Sequence, residues 1–94
     1  MRAEGGIAME MRNYVELVVE RHTQTLMLRT GVCSCEKCKL DVMSIALNNL
    51  RPHYVVTEAG ALYAKMKDFD HQHNVDVTAA VMNAIQKVSE RPRH

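Results

Sequence analysis

The sequence predicts a mainly α-helical fold, in which three longer helices and a short β-hairpin form one small single domain. Apolar residues recur at helical spacing over residues 7–28, 36–49 and 71–89. Between the second and third stretches, two short β-prone runs flank a turn that contains Gly60. A chain of 94 residues buries only a small core, so we expect a bound metal or a dimer interface to contribute to its stability.

The first helix is predicted from an amphipathic stripe that ends at Thr30 and Gly31. Glycine at this point favours a left-handed helix cap. The residues before the stripe are small and polar, so we expect a flexible N-terminal extension over residues 1–8 and a single domain over residues 9–94.

The second helix should run over residues 36–49, with Ser34 as a candidate N-cap. The dipeptide Arg51-Pro52 should stop it, because proline cannot continue a helix and restricts the residue before it.

The hairpin is predicted from the runs 53–57 and 61–65, which are β-prone and separated by a short turn. The sequence Asp68-Phe69-Asp70 offers turn and cap side chains, so the third helix is expected to begin after it, at residue 71.

Three cysteines within six residues, Cys33, Cys35 and Cys38, are the strongest functional signal. Cys35 and Cys38 stand one turn apart at a helix start, where the positive end of the helix dipole favours thiolates, and Cys33 precedes them on an extended segment. This spacing predicts a zinc site that needs a fourth ligand. A redox-active thiol cluster and simple packing of buried thiols are the alternatives. An iron–sulfur cluster lacks its fourth cysteine, and the dispersed methionines fit core packing better than copper binding.

Composition argues against two classes of partner. Twelve Lys and Arg balance eleven Asp and Glu, and the chain has no Trp and one Phe, which disfavours binding to a nucleic acid polymer. No apolar stretch is long enough for a membrane span or a signal peptide, so we expect a cytoplasmic protein. In that reducing compartment three thiols are not expected to form disulfides.

Four segments carry a resemblance to a known family. They are Cys33-x-Cys35-x2-Cys38-x2-Asp41, the segment 46–57 followed by Gly60, Tyr63-x-Lys65, and Arg91-Pro92-Arg93-His94. Through them, residues 14–94 resemble the late-competence protein family ComFB. The resemblance implies a non-enzymatic, mostly helical homodimer that binds zinc and acts in competence and second-messenger signalling. The resemblance also implies that some relatives act as receptors for a cyclic dinucleotide, such as cyclic di-GMP or cyclic di-AMP.

Carried over to this chain, the resemblance makes Cys33, Cys35 and Cys38 the zinc ligands. His94 is the first candidate for the fourth ligand, because an imidazole beyond the helix break at Pro92 could return to the cysteines. Asp41 is the second candidate, although a hydrogen bond to a ligand suits it better. The pair His71 and His73 is expected on the solvated surface.

Four residues at the junction between the second helix and the hairpin are candidates for ligand binding: Asn48, Arg51, His53 and Tyr54. Their amide, guanidinium, imidazole and phenol groups suit the edges of purine bases and phosphates. A two-fold dimer would present each group twice to a symmetric cyclic ligand. The alternative is a protein-interaction adaptor without a nucleotide ligand, in which these residues only pack. Catalysis is not expected, because a closed zinc site leaves no open coordination position.

Overall fold

A computed structural model of the chain describes residues 9–58 and 61–90 and contains three helices and a two-stranded antiparallel sheet in those ranges. The elements follow in the order β1 (Met9–Asn13), α1 (Tyr14–Thr30), α2 (Glu36–Asn48), β2 (Tyr54–Glu58) and α3 (Leu62–Glu90). The predicted fold class is therefore confirmed. The expected extension over residues 1–8 lies outside the described residues.

The sheet has a different composition from the predicted hairpin. β2 pairs with β1, so that Met11 lies opposite Val56, and the prediction that residues 7–28 form one helix is wrong for β1. Asn13 explains the change of structure at this point: its side-chain oxygen accepts hydrogen bonds from the N–H groups of Val15, at 3.1 Å, and His53, at 2.9 Å. It thus caps α1 and holds the start of that helix against the residues that lead into β2.

The third helix begins nine residues earlier than predicted, at Leu62 instead of residue 71. The predicted second strand of the hairpin, residues 61–65, and the predicted turn Asp68-Phe69-Asp70 both lie at its N-terminal end. Ala, Leu and Lys in this segment are good helix formers. The helical stripe also extends upstream, because Met66 is buried on the same helix as Val77.

The core lies between the three helices, and each helix packs against the other two. Its buried side chains come from α1 (Val15, Val18, Val19, Met27), α2 (Cys38, Val42, Ala46) and α3 (Met66, Val77, Val81, Ala84, Ile85, Val88). Cys38 therefore belongs to the core as well as to the cysteine cluster.

A polar bridge also joins α1 to α3. The Nε2 atom of His22 lies 2.9 Å from a carboxylate oxygen of Asp70, and its Nδ1 atom lies 3.2 Å from the Thr78 hydroxyl. Arg21 adds a longer ion pair to Asp70, at 3.5 Å. Asp70 therefore lies in a helix and is half-buried, and the prediction that it belongs to a turn is wrong.

The connection between α1 and α2 brings the cysteines together. Gly31 has a φ of 72°, and its N–H group donates to the Met27 carbonyl, which confirms the predicted left-handed cap. The N-cap of α2 is Cys35, and the proposed cap Ser34 is wrong by one residue. Within the described ranges, no helix has a stretch that is long and apolar enough to cross a membrane.

Candidate metal centre and ligand cavity

The three cysteine sulfurs converge at the N-terminus of α2. Their Sγ atoms all lie within 4.8 Å of one another. Sulfurs bound to one tetrahedral zinc ion lie about 3.8 Å apart, because each Zn–S bond is about 2.3 Å long. Small side-chain rotations would therefore bring all three thiolates onto one ion, and the cluster can hold a metal.

Local structure explains the convergence. Cys35 occupies the N-cap, and its sulfur accepts a hydrogen bond of 3.4 Å from the backbone N–H of Cys38. Cys33 lies on the preceding extended segment and is exposed, as is Cys35, whereas Cys38 is only 2% exposed. The site therefore has a buried base and an open outer side.

The two helix-borne thiols differ in acidity. The hydrogen bond from the Cys38 backbone lowers the pKa of Cys35, and a hydrogen bond with the Cys33 side chain acts in the same direction. Burial raises the pKa of Cys38 to about 12, and its hydrogen bonds with Cys35 and Cys33 add to this effect. An ion that takes three thiolates must therefore displace the proton of Cys38.

A small apolar cavity of about 240 Å³ lies beside the cluster. Cys33 and Cys38 line it together with Val88 and Ser89, which belong to the last turn of α3. The C-terminal end of α3 therefore lies next to the sulfurs. His94 lies outside the described residues.

Among the described residues, the cluster of potential metal ligands contains the three cysteines and does not include the Asp41 carboxylate. It lies one turn beyond Cys38 on α2, and its backbone carbonyl accepts a hydrogen bond from the Ser44 hydroxyl. Its position thus favours the supporting role over direct ligation.

A second, larger cavity of about 780 Å³ lies between the segment that follows α2 and one face of α3. Of the four residues predicted to bind a ligand, Arg51 and His53 line this cavity. Asn48 and Tyr54 are not among its lining residues. Asn48 is exposed in the last turn of α2, and Tyr54 is 60% exposed at the start of β2.

Sequence reasoning missed the other wall of this cavity, which α3 supplies through Phe69, His73, Asp76 and Asn83. Their spacing of four, three and seven residues is helical and was a usable signal. This signal did not identify the cavity wall, because the sequence predicts a turn at Phe69 and a solvated surface position for His73. His73 is exposed, but it faces this cavity.

Aromatic rings are concentrated at the same place. The Phe69 and His73 rings are stacked with centroids 4.3 Å apart, and His53 lies 4.9 Å from Phe69 at a tilt. The Tyr14 ring packs edge-on against Phe69, with centroids 5.8 Å apart. The wall of the cavity thus combines flat rings with the guanidinium of Arg51, a set of groups that can contact a planar base and an anionic phosphate.

Comparison with known proteins gives consistent matches. The profile of the family described as late competence development protein ComFB matches residues 12–92. The competence protein ComFB of Bacillus subtilis (strain 168) is 32% identical over 60 residues, which cover 64% of this chain and 61% of that protein, less than two thirds of its length. A solved structure of the late competence protein ComFB from Bacillus subtilis superposes with a TM-score of 0.70 at 28% identity, covering 88% of this chain and 92% of the other.

Proposed function

The chain belongs to the ComFB family of late competence development proteins, and we propose that it is a dimeric, zinc-binding regulatory protein whose small ligand is a cyclic dinucleotide. The proposal of zinc binding rests on the convergence of the Sγ atoms of Cys33, Cys35 and Cys38, which lie within 4.8 Å of one another. Three thiolates select zinc among the ions that are common in cells, because soft sulfur ligands in a tetrahedral set suit it. Free thiols also fit the cytoplasm.

His94 is the proposed fourth ligand. Val88 and Ser89, near the end of α3, line the cavity beside Cys33 and Cys38. The four residues from 91 to 94 can span about 13 Å when extended, and we propose that they carry the imidazole back to the sulfurs. A Cys3His set closes the tetrahedron, so we propose a structural or regulatory site without catalytic activity.

Zinc content of the purified protein tests this part. We expect one zinc per chain in the wild type and none in Cys35→Ser, with Ser34→Ala as the control from the same loop. His94→Ala should weaken zinc binding less than the cysteine change, because water can replace the imidazole, while the exposed His71→Ala should leave it unchanged. A wild type that binds no zinc under reducing conditions would refute the metal site.

A redox-sensing thiol cluster is the second candidate function, and the lowered pKa of the exposed Cys35 favours it. The two functions differ in how the metal-loaded protein reacts with a thiol-labelling reagent. Zinc ligation should protect all three cysteines from labelling until a chelator is added. Rapid labelling of Cys35 in the zinc-loaded protein would favour the redox function.

For the nucleotide, the supporting observation is the cavity of about 780 Å³ that Arg51, His53, Phe69 and His73 line. Its volume falls in the usual range of small-molecule sites, about 300–1,000 Å³. Arg51 can bind phosphate oxygens in a bidentate manner, and the imidazole and phenyl rings can stack with a purine.

Calorimetric titration of cyclic di-GMP and cyclic di-AMP tests this part. The wild type should bind at least one of them saturably, and Arg51→Ala should weaken that binding, because the phosphate loses its charged donor. Arg29→Ala removes an exposed arginine at the far end of α1 and serves as the matched control. Absence of saturable binding to either nucleotide would refute the receptor function and favour a protein-interaction adaptor.

A further inference from the structure

We propose that β1 is the strand through which two copies of this chain pair, edge to edge and antiparallel, so that the two sheets join into one of four strands. The inference rests on the dimer of the proposed function and specifies its interface. The sheet has only β1 and β2 within the described residues, which leaves the outer edge of β1 without a neighbouring strand there. Such an edge presents unpaired backbone groups that favour pairing with another chain.

The hydrogen-bonding pattern identifies which residues face this edge. The N–H of Tyr14 donates to the carbonyl of His53 at 2.9 Å, and this pair continues the register of Asn13 with Tyr54. Because antiparallel bonding alternates along a strand, the even-numbered residues of β1 bond toward β2. The N–H and C=O groups of Met9 and Met11 therefore point to the outer edge.

Side-chain exposure at the same strand agrees with an interface. Met9 is 57% exposed and Met11 is 66% exposed, and they share the outer face of the sheet with Val56, which is 68% exposed. Large apolar side chains at an unpaired strand edge are a site for association. In a symmetric pair centred on Met11, the two Met11 backbones exchange both hydrogen bonds, and their side chains lie against each other.

Charge complementarity favours this register, and it favours a second copy of the chain as the partner that pairs with β1. With Met11 at the two-fold axis, Glu10 lies opposite Arg12 of the partner subunit, and Arg12 lies opposite Glu10 of the partner subunit. This is a non-hydrogen-bonded position, where opposing side chains come closest. The two side chains already meet within one chain at 2.9 Å, and both remain partly exposed.

Alternative registers lose this complementarity. A slip of two residues places Glu10 opposite Glu10, or Arg12 opposite Arg12, and a parallel in-register pair also brings like charges together. A slip of one residue breaks the alternation of the outward-facing backbone groups. β2 has no comparable pattern, because Val55 and Thr57 would be opposed in a two-fold pair centred on Val56.

Charge reversal with mixing tests the interface. Glu10→Arg and Arg12→Glu each make β1 carry two like charges, and each should raise the dimer Kd by roughly tenfold or more, because both symmetry-related pairs turn repulsive. An equimolar mixture of the two variants should recover association through heterodimers, as the strands become complementary again. Glu58→Arg, an exposed change on β2, is the control for altered sheet charge. Sedimentation equilibrium measures the Kd values, and circular dichroism verifies that each variant is folded.

The double variant Glu10→Arg with Arg12→Glu controls for misfolding. It swaps the two charges, so it keeps an ion pair within the chain and opposite charges across the proposed interface. It should therefore dimerise like the wild type. A wild type that is monomeric at all concentrations would refute the dimer of the proposed function and this interface with it. A wild-type dimer whose Kd is unchanged in both single variants would refute the β1 interface alone. Weakened homodimers without recovery in the mixture would also refute it.

Discussion

Replacement of Cys38 by serine should destabilise the protein in two separable ways. Cys38 is a proposed metal ligand and is also a core side chain, 2% exposed, which lines the cavity with Val42 and Ile85. Cys35 is exposed, and serine is itself a good N-cap residue. Both Cys38→Ser and Cys35→Ser should lose zinc, but only Cys38→Ser places a hydroxyl in an apolar environment.

The metal-free state separates the two effects. With a chelator present, Cys35→Ser should melt close to the metal-free wild type. Cys38→Ser should melt lower by roughly 5–15 °C, because a hydroxyl is costlier than a thiol to bury in an apolar environment and a domain of this size responds strongly to such a cost. Zinc should raise the Tm of the wild type and of neither variant, since metal binding energy becomes folding energy.

Thermal scans by circular dichroism, with and without zinc, give both comparisons from the same samples. If the two variants have equal Tm values in chelator, the burial of Cys38 does not contribute to stability independently of zinc, and this prediction is refuted. A wild type whose Tm does not respond to zinc would refute a metal site that stabilises the fold.

Three further changes test the fold. Asp70→Ala removes the carboxylate that bridges to His22, and it should lower the free energy of unfolding by about 1–3 kcal/mol in urea titrations; an unchanged midpoint would mean that the bridge contributes nothing. Gly31→Ala should cost about 1 kcal/mol in the same assay, because the left-handed φ of 72° strains any residue with a Cβ, although a Cβ there has no atom within 4 Å. Val81→Ala should cost about 2 kcal/mol through a core cavity, whereas Val75→Ala, at a position 81% exposed, should be nearly neutral; equal effects would contradict the assigned core.

The helices illustrate how far local pattern determines structure. The second helix was predicted over residues 36–49 and observed as Glu36–Asn48, because a proline marks its end and the apolar spacing is regular. The left-handed cap at Gly31 was predicted for a similar local reason. These features depend on residues within a few positions of one another, so the sequence contains the information needed to place them.

The sheet illustrates the opposite case. The sequence correctly predicts that residues 53–57 are β-prone, but it predicts a nearby partner strand at residues 61–65, whereas the observed partner is β1, more than forty residues upstream. The choice between a nearby and a distant partner depends on which edges the packed helices leave available, and strand propensity is strongly dependent on such context. Residues 62–65 instead belong to α3, since the helix continues the face that packs on the core.

For the site, the sequence alone determined which residues form the cysteine cluster, because three potential ligands lie within six residues at the start of a predicted helix. It also determined the family, through motifs that are specific in combination. Only the tertiary structure decided that Arg51 and His53 face Phe69 and His73 across one cavity, and that the end of α3 lies beside the sulfurs. Local spacing fixes ligands on a single turn, whereas contacts between distant segments arise only when the helices pack and choose which faces to bury.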